Sequence, residues 1–225
     1  MAERTRVEKP TREGSPAKRA AILTAARDLF VQQGVDRVSM DAVAATAKVS
    51  KATVYDYFGD KRRLFRAILA DMSQALLDTV HRALDEHLPH GAPVATVPQL
   101  EERLAALAID LGTSVVGSAD YADVFALVAQ QRLRTSVTGD DSATEAVVDI
   151  ATDAVVDALA DRIADLVDAG IVETDRPRLA AEHFFALTML LAYDRYPSPV
   201  EPDPEGVRQT MIDGVHAFIR AYGRR

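Results

Sequence analysis

Apolar residues recur every three or four positions over most of this chain, which is the spacing of one face of an α-helix. A first helix is predicted over residues 16–33, because Pro16 suits its first position and Gly34 suits its end. No segment shows the sustained alternation of a β-strand, so the predicted fold class is all-α with about nine helices. The other long helices are predicted over residues 60–86, 99–117, 119–133, 141–169, 175–194 and 204–222.

Between the first helix and the long helix from residue 60, the pattern predicts two short helices and a tight turn. Ser39 and Ser50 are residue types that favour the N-cap position, and each precedes residues of helical spacing. Val54 and Phe58 lie four positions apart and therefore share one face of the second short helix. Such a pair suits a helix-turn-helix, in which the second helix enters the major groove by its N-terminal end. The exposed face then carries Lys51, Thr53, Tyr55 and Tyr57.

Three cations, Lys61, Arg62 and Arg63, crowd the first turn of the long helix, which Asp60 can cap. Positive charge at a helix N-terminus opposes the helix dipole by ~0.3–1 kcal/mol per residue. Either these cations are exposed and screened, with Asp56 and Asp60 as partners, or they hold a DNA phosphate together with free backbone amides. Directly behind a helix-turn-helix, the phosphate is the favoured interpretation.

A long ordered string links these features to a known family. The run V-x-x-x-A-x-V-S-K-A-T-V-Y-D-Y-F-G-D-K-x-x-L-F, with AKRAAILTAARDLFVQQG upstream, resembles the N-terminal domain of TetR-type transcriptional regulators. The resemblance covers about residues 17–78, a third of the chain. One departure is Lys48, which stands where that turn usually carries Gly. A non-Gly residue in a left-handed conformation costs ~1 kcal/mol.

The polar composition of the first 15 residues and the resemblance together imply three segments. A disordered arm of mixed charge is expected over residues 1–15, a DNA-binding domain over 16–78, and a helical ligand-binding and dimerisation domain over 79–225. Side-chain chemistry and the resemblance together assign the contacts to double-stranded DNA. Lys51, Thr53 and Tyr55 are assigned to base edges or the groove, since Lys51 suits guanine O6/N7 and the methyl of Thr53 suits thymine. The phosphate contacts and a nearby cation are assigned to Ser39, Tyr57, Lys61 and Lys48.

Charge is distributed unevenly along the chain. The formal net charge is −8, but residues 1–66 hold 14 Lys/Arg and 8 Asp/Glu, whereas the remainder holds 12 and 26. A basic N-terminal third and an acidic remainder are expected of a protein that binds DNA through its N-terminal domain alone. The N-terminal domain, residues 16–78, is called the head below, and residues 79–225 are called the body.

Composition excludes several other classes. The 225 residues contain no cysteine, which excludes disulfides and thiolate zinc sites, and no run of 18 apolar residues that would predict a membrane span. The charged N-terminus lacks the apolar core of a signal peptide. A soluble, cytoplasmic protein is therefore expected.

Neither a metal nor another cofactor is predicted. His87 and His90 have a suitable gap for one helix face, but Pro89 between them breaks a helix. Residues 79–225 contain no nucleophile elbow, phosphate-binding loop or His-Glu metal motif, so we do not expect an enzyme.

The family resemblance implies a small-molecule pocket in the body, whose filling moves the long helix. Apolar lining would suit a hydrophobic or aromatic effector, and a few polar side chains would orient it. The candidate lining residues are Phe125, Val128, Arg132, Val155, His183, Phe184, Leu187 and Tyr193.

The last two predicted helices carry apolar faces that look larger than one core needs. In the resembled family these helices form the dimer, and two-fold pairing sets two recognition helices about one DNA turn (~34–36 Å) apart. The candidate interface residues are Leu179, Leu190, Leu191, Met211, Val215, Phe218 and Tyr222.

The sequence thus predicts a homodimeric repressor that binds a palindromic operator and is released by a small molecule. In the alternative, the same head binds DNA but the body binds a protein partner and has no pocket. Activation in place of repression depends on where the operator lies.

Overall fold

The computed structural model describes residues 15–91, 93–116, 142–196 and 203–224; of residues 116, 142–152 and 193 it describes the backbone alone. Throughout these ranges the regular structure is helical, and the one β-type contact they show is an isolated antiparallel bridge between Val172 and Gly223. The predicted all-α class is confirmed. Residues 1–14 of the arm predicted over 1–15, and the whole helix predicted over 119–133, lie outside the described ranges.

The helices begin and end close to the predicted boundaries. The first four are α1 (Pro16–Gln33), α2 (Met40–Thr46), α3 (Lys51–Phe58) and α4 (Lys61–His87). The others are α5 (Val97–Leu111), α6 (Ser142–Asp168), α7 (Pro177–Phe185), α8 (Leu191–Arg195) and α9 (Pro204–Tyr222). Two wider π-helical turns were not predicted: Gly112–Val116 extends α5, and Ala186–Leu190 joins α7 to α8.

The chain divides into two compact units, Met1–Ile68 and Leu69–Arg225. The division falls inside α4, ten residues before the border expected between residues 78 and 79. Because both positions lie in one continuous helix, the expected domain border stays a prediction.

The first unit is held by a small apolar core. Ile22 and Phe30 of α1, Val43 of α2 and Val54 of α3 are almost completely buried. The rings of Phe30 and Phe65 meet edge to face, with centroids 6.0 Å apart. α1 therefore packs against α2 and α3 and supports them. Ser15 is the residue type that favours an N-cap, but its side chain makes no capping bond, and its carbonyl oxygen accepts from the amides of residues 18 and 19.

In the second unit, α9 is the central element of the core. Met211, Val215 and Phe218 of α9 are fully buried, and α9 packs against α5 and the π-helical turn Ala186–Leu190. Gly214 allows this contact, because a Cβ atom placed on it would overlap the backbone carbonyl of Leu187. The packing of α9 therefore depends on one residue that has no side chain.

Candidate nucleic-acid interface

Hydroxyl groups cap both short helices of the predicted helix-turn-helix. The Ser39 hydroxyl accepts from the amide of Ala42 and the Ser50 hydroxyl accepts from the amide of Thr53, each at 3.1 Å. Both predicted N-caps are confirmed. Ser50 Oγ also lies 2.8 Å from Thr53 Oγ1, which fixes the hydroxyl of a candidate base-reading residue at the start of α3.

The turn between α2 and α3 has the predicted left-handed residue. Lys48 has φ 55°, the sole positive φ of a non-glycine residue in the described chain. The amide of Val49 donates to the carbonyl of Ala44 at 3.0 Å, which closes the end of α2. The Lys48 side chain is exposed, so its ammonium is free to approach a DNA backbone.

α3 presents Lys51 and, one turn later, Tyr55 to solvent, while Val54 between them is buried. Lys51 Nζ forms an ion pair with Asp41 of α2 at 2.8 Å and lies 5.9 Å from the centre of the Tyr55 ring. The hydrogen bond to Asp41 raises the pKa of Lys51. Any contact of Lys51 with a base therefore competes with Asp41.

Lys61 and Tyr57, two of the candidate phosphate contacts, already bind the backbone of their own unit. Lys61 Nζ donates to the carbonyls of Asp36 at 2.9 Å and Val38 at 3.0 Å, which ties α4 to the loop before α2. The Tyr57 hydroxyl donates to the Ser15 carbonyl at 3.1 Å. An ammonium has three N–H donors, so a phosphate can take the third.

The candidate effector residues fall into three groups. Val155 and Phe184 belong to the buried core of the second unit, and Leu187 is half-buried. His183 is exposed, and its Nδ1 lies 2.6 Å from the Tyr222 hydroxyl. The candidates outside the described part of the chain are Phe125, Val128, Arg132 and the side chain of Tyr193.

The candidate dimer residues do not share one exposed face. Met211, Val215 and Phe218 are covered by α5 and the π-helical turn of their own chain, so in this conformation their side chains do not reach a partner. Leu190 and Leu191 are 55% and 41% exposed, which is unusual for large apolar side chains that adjoin each other. The remaining candidates, Leu179 and Tyr222, are half-buried.

An ion-pair network joins the end of α4 to α5. Both terminal nitrogens of Arg82 donate to the two carboxylate oxygens of Asp110 at 3.0 Å, and His87 Nε2 lies 3.0 Å from the same carboxylate. The hydrogen bond from Arg82 lowers the pKa of Asp110 to about 2, with smaller contributions from His87 and Ser114 and an opposing effect of burial. Glu86, His87 and Asp110 are close enough to share a metal ion. Arg82 donates to both Glu86 and Asp110, so two of the three possible metal ligands are already paired with its guanidinium. The arrangement is therefore better explained as an ion-pair network than as a metal site.

Acid should remove the stabilising effect of this network. Since the pKa of Asp110 is lowered from 3.8 to about 2 on folding, the stabilisation is complete above pH 3.8 and is lost as pH falls towards 2. Asp110→Asn should lower the free energy of unfolding by on the order of 1 kcal/mol near neutral pH, after allowance for solvent screening. Urea unfolding of both proteins should show this difference shrinking below about pH 4; a difference independent of pH would contradict the assignment.

Two contacts of the candidate residues could not be predicted from the sequence, whereas the burial of a third residue, Arg162, could have been. The partners of Lys61 are backbone carbonyls, which no residue identity reveals. Asp41 lies ten residues from Lys51, and only the turn brings them together. Arg162 is buried, and its burial was predictable because it follows Leu159 by three positions on the apolar stripe of α6.

Within the residues that the structure describes, none of the helices combines the length and apolarity needed to cross a membrane.

Two family models match separate parts of the chain. Residues 22–68 match the model of the bacterial regulatory proteins of the tetR family, and residues 121–224 match the C-terminal domain of AefR-like transcriptional repressors. The first match contains the helix-turn-helix and every candidate DNA contact. Both models describe transcriptional regulators and neither describes an enzyme.

Similar proteins agree with these matches. The HTH-type transcriptional repressor Rv3405c of Mycobacterium tuberculosis is 36% identical over 104 residues, which cover 39% of this chain and 55% of the relative. The chain thus spans about half the length of this relative and of two others that it matches equally.

Solved structures extend the likeness to nearly the whole chain. A putative TetR-family regulator from Mesorhizobium loti has a TM-score of 0.78 at 21% identity, covering 93% of this chain and 100% of the other. The flavonoid-responsive regulator FrrA has a TM-score of 0.66 at 26% identity, covering 94% and 100%. Because one family model matches the helix-turn-helix and the other matches the C-terminal part, the chain belongs to the TetR family of bacterial transcriptional regulators.

Proposed function

We propose that this protein is a repressor that binds a palindromic operator as a homodimer and is released by a small molecule. The observation that carries the DNA-binding part is the exposure of Lys51 and Tyr55 on α3, which follows a turn between two helices that both have a serine N-cap. A helix presented in this way fits the major groove. Because its target is DNA, we expect the protein to act in the cytoplasm.

Release requires an effector that prefers one conformation of the body. Near-complete switching needs a preference of about 10⁴-fold for the released state. The effector is proposed to be hydrophobic or aromatic, since the described candidates Val155, Phe184 and Leu187 are apolar and FrrA is described as flavonoid-responsive. α4 is the proposed lever, because it is the helix that both units share.

The effector proposal is tested by release of bound DNA. The full chain is bound to fluorescent operator DNA and exposed to a metabolite library that includes flavonoids, and the fluorescence anisotropy is followed. Release by an aromatic or hydrophobic compound would support the proposal. If DNA binds but none of the compounds changes its affinity, the alternative of a protein partner for the body takes precedence.

Lys51→Ala should relax the base preference at one position of each half-site. A Lys contact to guanine discriminates against the wrong base by about tenfold or more, and the variant loses that discrimination. The measurement is the binding profile over all single base-pair changes in the operator. An unchanged profile would refute the role of Lys51.

Asp41→Asn is the matched variant for this prediction. It retains Lys51 and a side chain of the same shape, but it removes the carboxylate that holds the ammonium at 2.8 Å. We expect stronger binding to all duplexes, by about a few-fold, with the base profile unchanged. A changed profile would show that Asp41 positions Lys51 for reading.

Lys61→Ala should weaken binding to every duplex about equally, by about tenfold, and lower the slope of log affinity against log salt by about one. The physical reason is the loss of one phosphate contact. Because the variant also frees the loop carbonyls of Asp36 and Val38, its thermal stability must be measured alongside. Arg208→Ala, an exposed cation of α9, is the control and should leave the slope unchanged. A loss that depends on base sequence would show that Lys61 is not a phosphate contact.

A further inference from the structure

Lys61 lies in the first turn of α4, where a positive charge opposes the helix dipole. A cation is unfavourable at that position unless it gains another interaction, and the backbone of the first unit supplies one. Lys61 Nζ donates to the carbonyl oxygen of Asp36 at 2.9 Å and to that of Val38 at 3.0 Å. Both carbonyls belong to the loop between α1 and α2. Two charge-assisted hydrogen bonds therefore join the start of α4 to this loop.

The same loop leads directly into the N-cap of α2. The Val38 side chain is only 2% exposed and its carbonyl oxygen is held by Lys61, so this residue is fixed at both its side chain and its backbone. The next residue is Ser39, whose hydroxyl accepts from the amide of Ala42. Because a hydroxyl can accept and donate at once, the O–H of Ser39 can also donate to a phosphate. The place of that hydroxyl depends on where the loop ends.

We propose that Lys61 is a positioning residue for Ser39. Its two hydrogen bonds to the loop fix where α2 begins, and the contact of Ser39 with a DNA phosphate depends on them. This inference rests on the proposed DNA-binding function and gives Lys61 a second role beside its own phosphate contact. The two roles are compatible, because two N–H donors of the ammonium bind the loop and the third is left for the phosphate.

Lys48 is the matched cation for the test. Its side chain is exposed, and it is assigned to the DNA backbone as Lys61 is. It follows the C-terminal end of α2, whereas the loop bound by Lys61 precedes the N-terminal end. An effect that comes from positive charge alone should be shared by the two lysines. An effect that comes from the position of Ser39 should belong to Lys61.

Hydrogen exchange of the free, full-length protein tests the positioning role without DNA. The amides of Ala42 and Val43 both bond to Ser39, through its hydroxyl and its carbonyl oxygen. In Lys61→Ala they should exchange at least about tenfold faster than in the parent, because the start of α2 opens more often. Lys48→Ala should leave both rates unchanged. Unchanged rates in Lys61→Ala, or an equal acceleration of the amides of α3, would overturn the proposal.

A double-mutant cycle on a duplex selected from random DNA tests whether the contact of Ser39 depends on Lys61. Ser39→Ala alone should weaken binding by about fivefold or more, through loss of the hydroxyl. In the Lys61→Ala background the same change should cost less than about twofold, because Ser39 is no longer held in place. In the Lys48→Ala background it should cost as much as in the parent.

The cycle overturns the proposal if Ser39→Ala has no effect in the parent, or if its cost is the same in the Lys61→Ala and Lys48→Ala backgrounds. Should Lys61→Ala fail to fold, Lys61→Met replaces it in both experiments, since Met keeps the apolar stem of the side chain without the ammonium. If the parent binds no duplex at all, the proposed function fails, and the exchange rates still decide whether Lys61 positions the start of α2.

Discussion

Leu190→Asp combined with Leu191→Asp is expected to separate the proposed dimer into monomers and to reduce the affinity for a full palindromic operator by about 10²–10⁴-fold. Both side chains are exposed in the single chain, at 55% and 41%, so the change should leave the fold intact. In a dimer it would place four carboxylates in an apolar interface, which is strongly unfavourable. Sedimentation equilibrium measures the assembly, and fluorescence anisotropy measures the DNA affinity.

A duplex with one half-site supplies the internal control. The affinity of a single head for a single half-site should be the same for parent and variant, because α3 is untouched. Leu190→Ala with Leu191→Ala should give an intermediate effect. If the Asp variant stays a dimer, then the partner is bound elsewhere, and the prediction that Leu190 and Leu191 belong to the dimer interface is wrong.

Gly214→Ala is expected to destabilise the second unit by about 3 kcal/mol. The added Cβ would overlap the carbonyl of Leu187, and because both are backbone-attached groups, α9 must move away from the π-helical turn. For a chain of this size the expected fall in melting temperature is about 10 °C. Thermal and urea unfolding, followed by circular dichroism, measure it.

Gly112→Ala is the matched control. Its Cβ would lie 2.8 Å from Cε and 3.1 Å from Cγ of Met211, a buried but flexible side chain that can shift more readily than a backbone carbonyl. Both variants gain about 1 kcal/mol of helix propensity, so Gly112→Ala should be nearly neutral. Equal stability of the two variants would show that the contact of Gly214 with Leu187 is not tight.

Local features of this fold could be predicted from the sequence. Gly34 at φ 81° ends α1 where expected, and Ser39 and Ser50 cap the next two helices. The left-handed conformation of Lys48 was expected from the resemblance, because that position of the turn usually carries Gly. These features depend on interactions between residues a few positions apart, so the residue types carry the information.

Features that depend on distant partners could not be predicted. An apolar stripe shows that a helix face is covered but does not show by what, which is why Met211, Val215 and Phe218 were assigned to a dimer although their own chain covers them. For the same reason, the sequence did not show that Asp41 is the partner of Lys51. The two π-helical turns could not be predicted, because one inserted residue barely changes the spacing of apolar residues along a helix.

The central claim is that two copies of this chain hold two α3 helices at a separation that matches successive major grooves. Selection of bound sequences from a pool of random duplex DNA tests it most directly. The account predicts enrichment of an inverted repeat whose half-sites are centred about one helical turn, or a multiple of it, apart. Enrichment of a single unrepeated half-site, or of none, would contradict it.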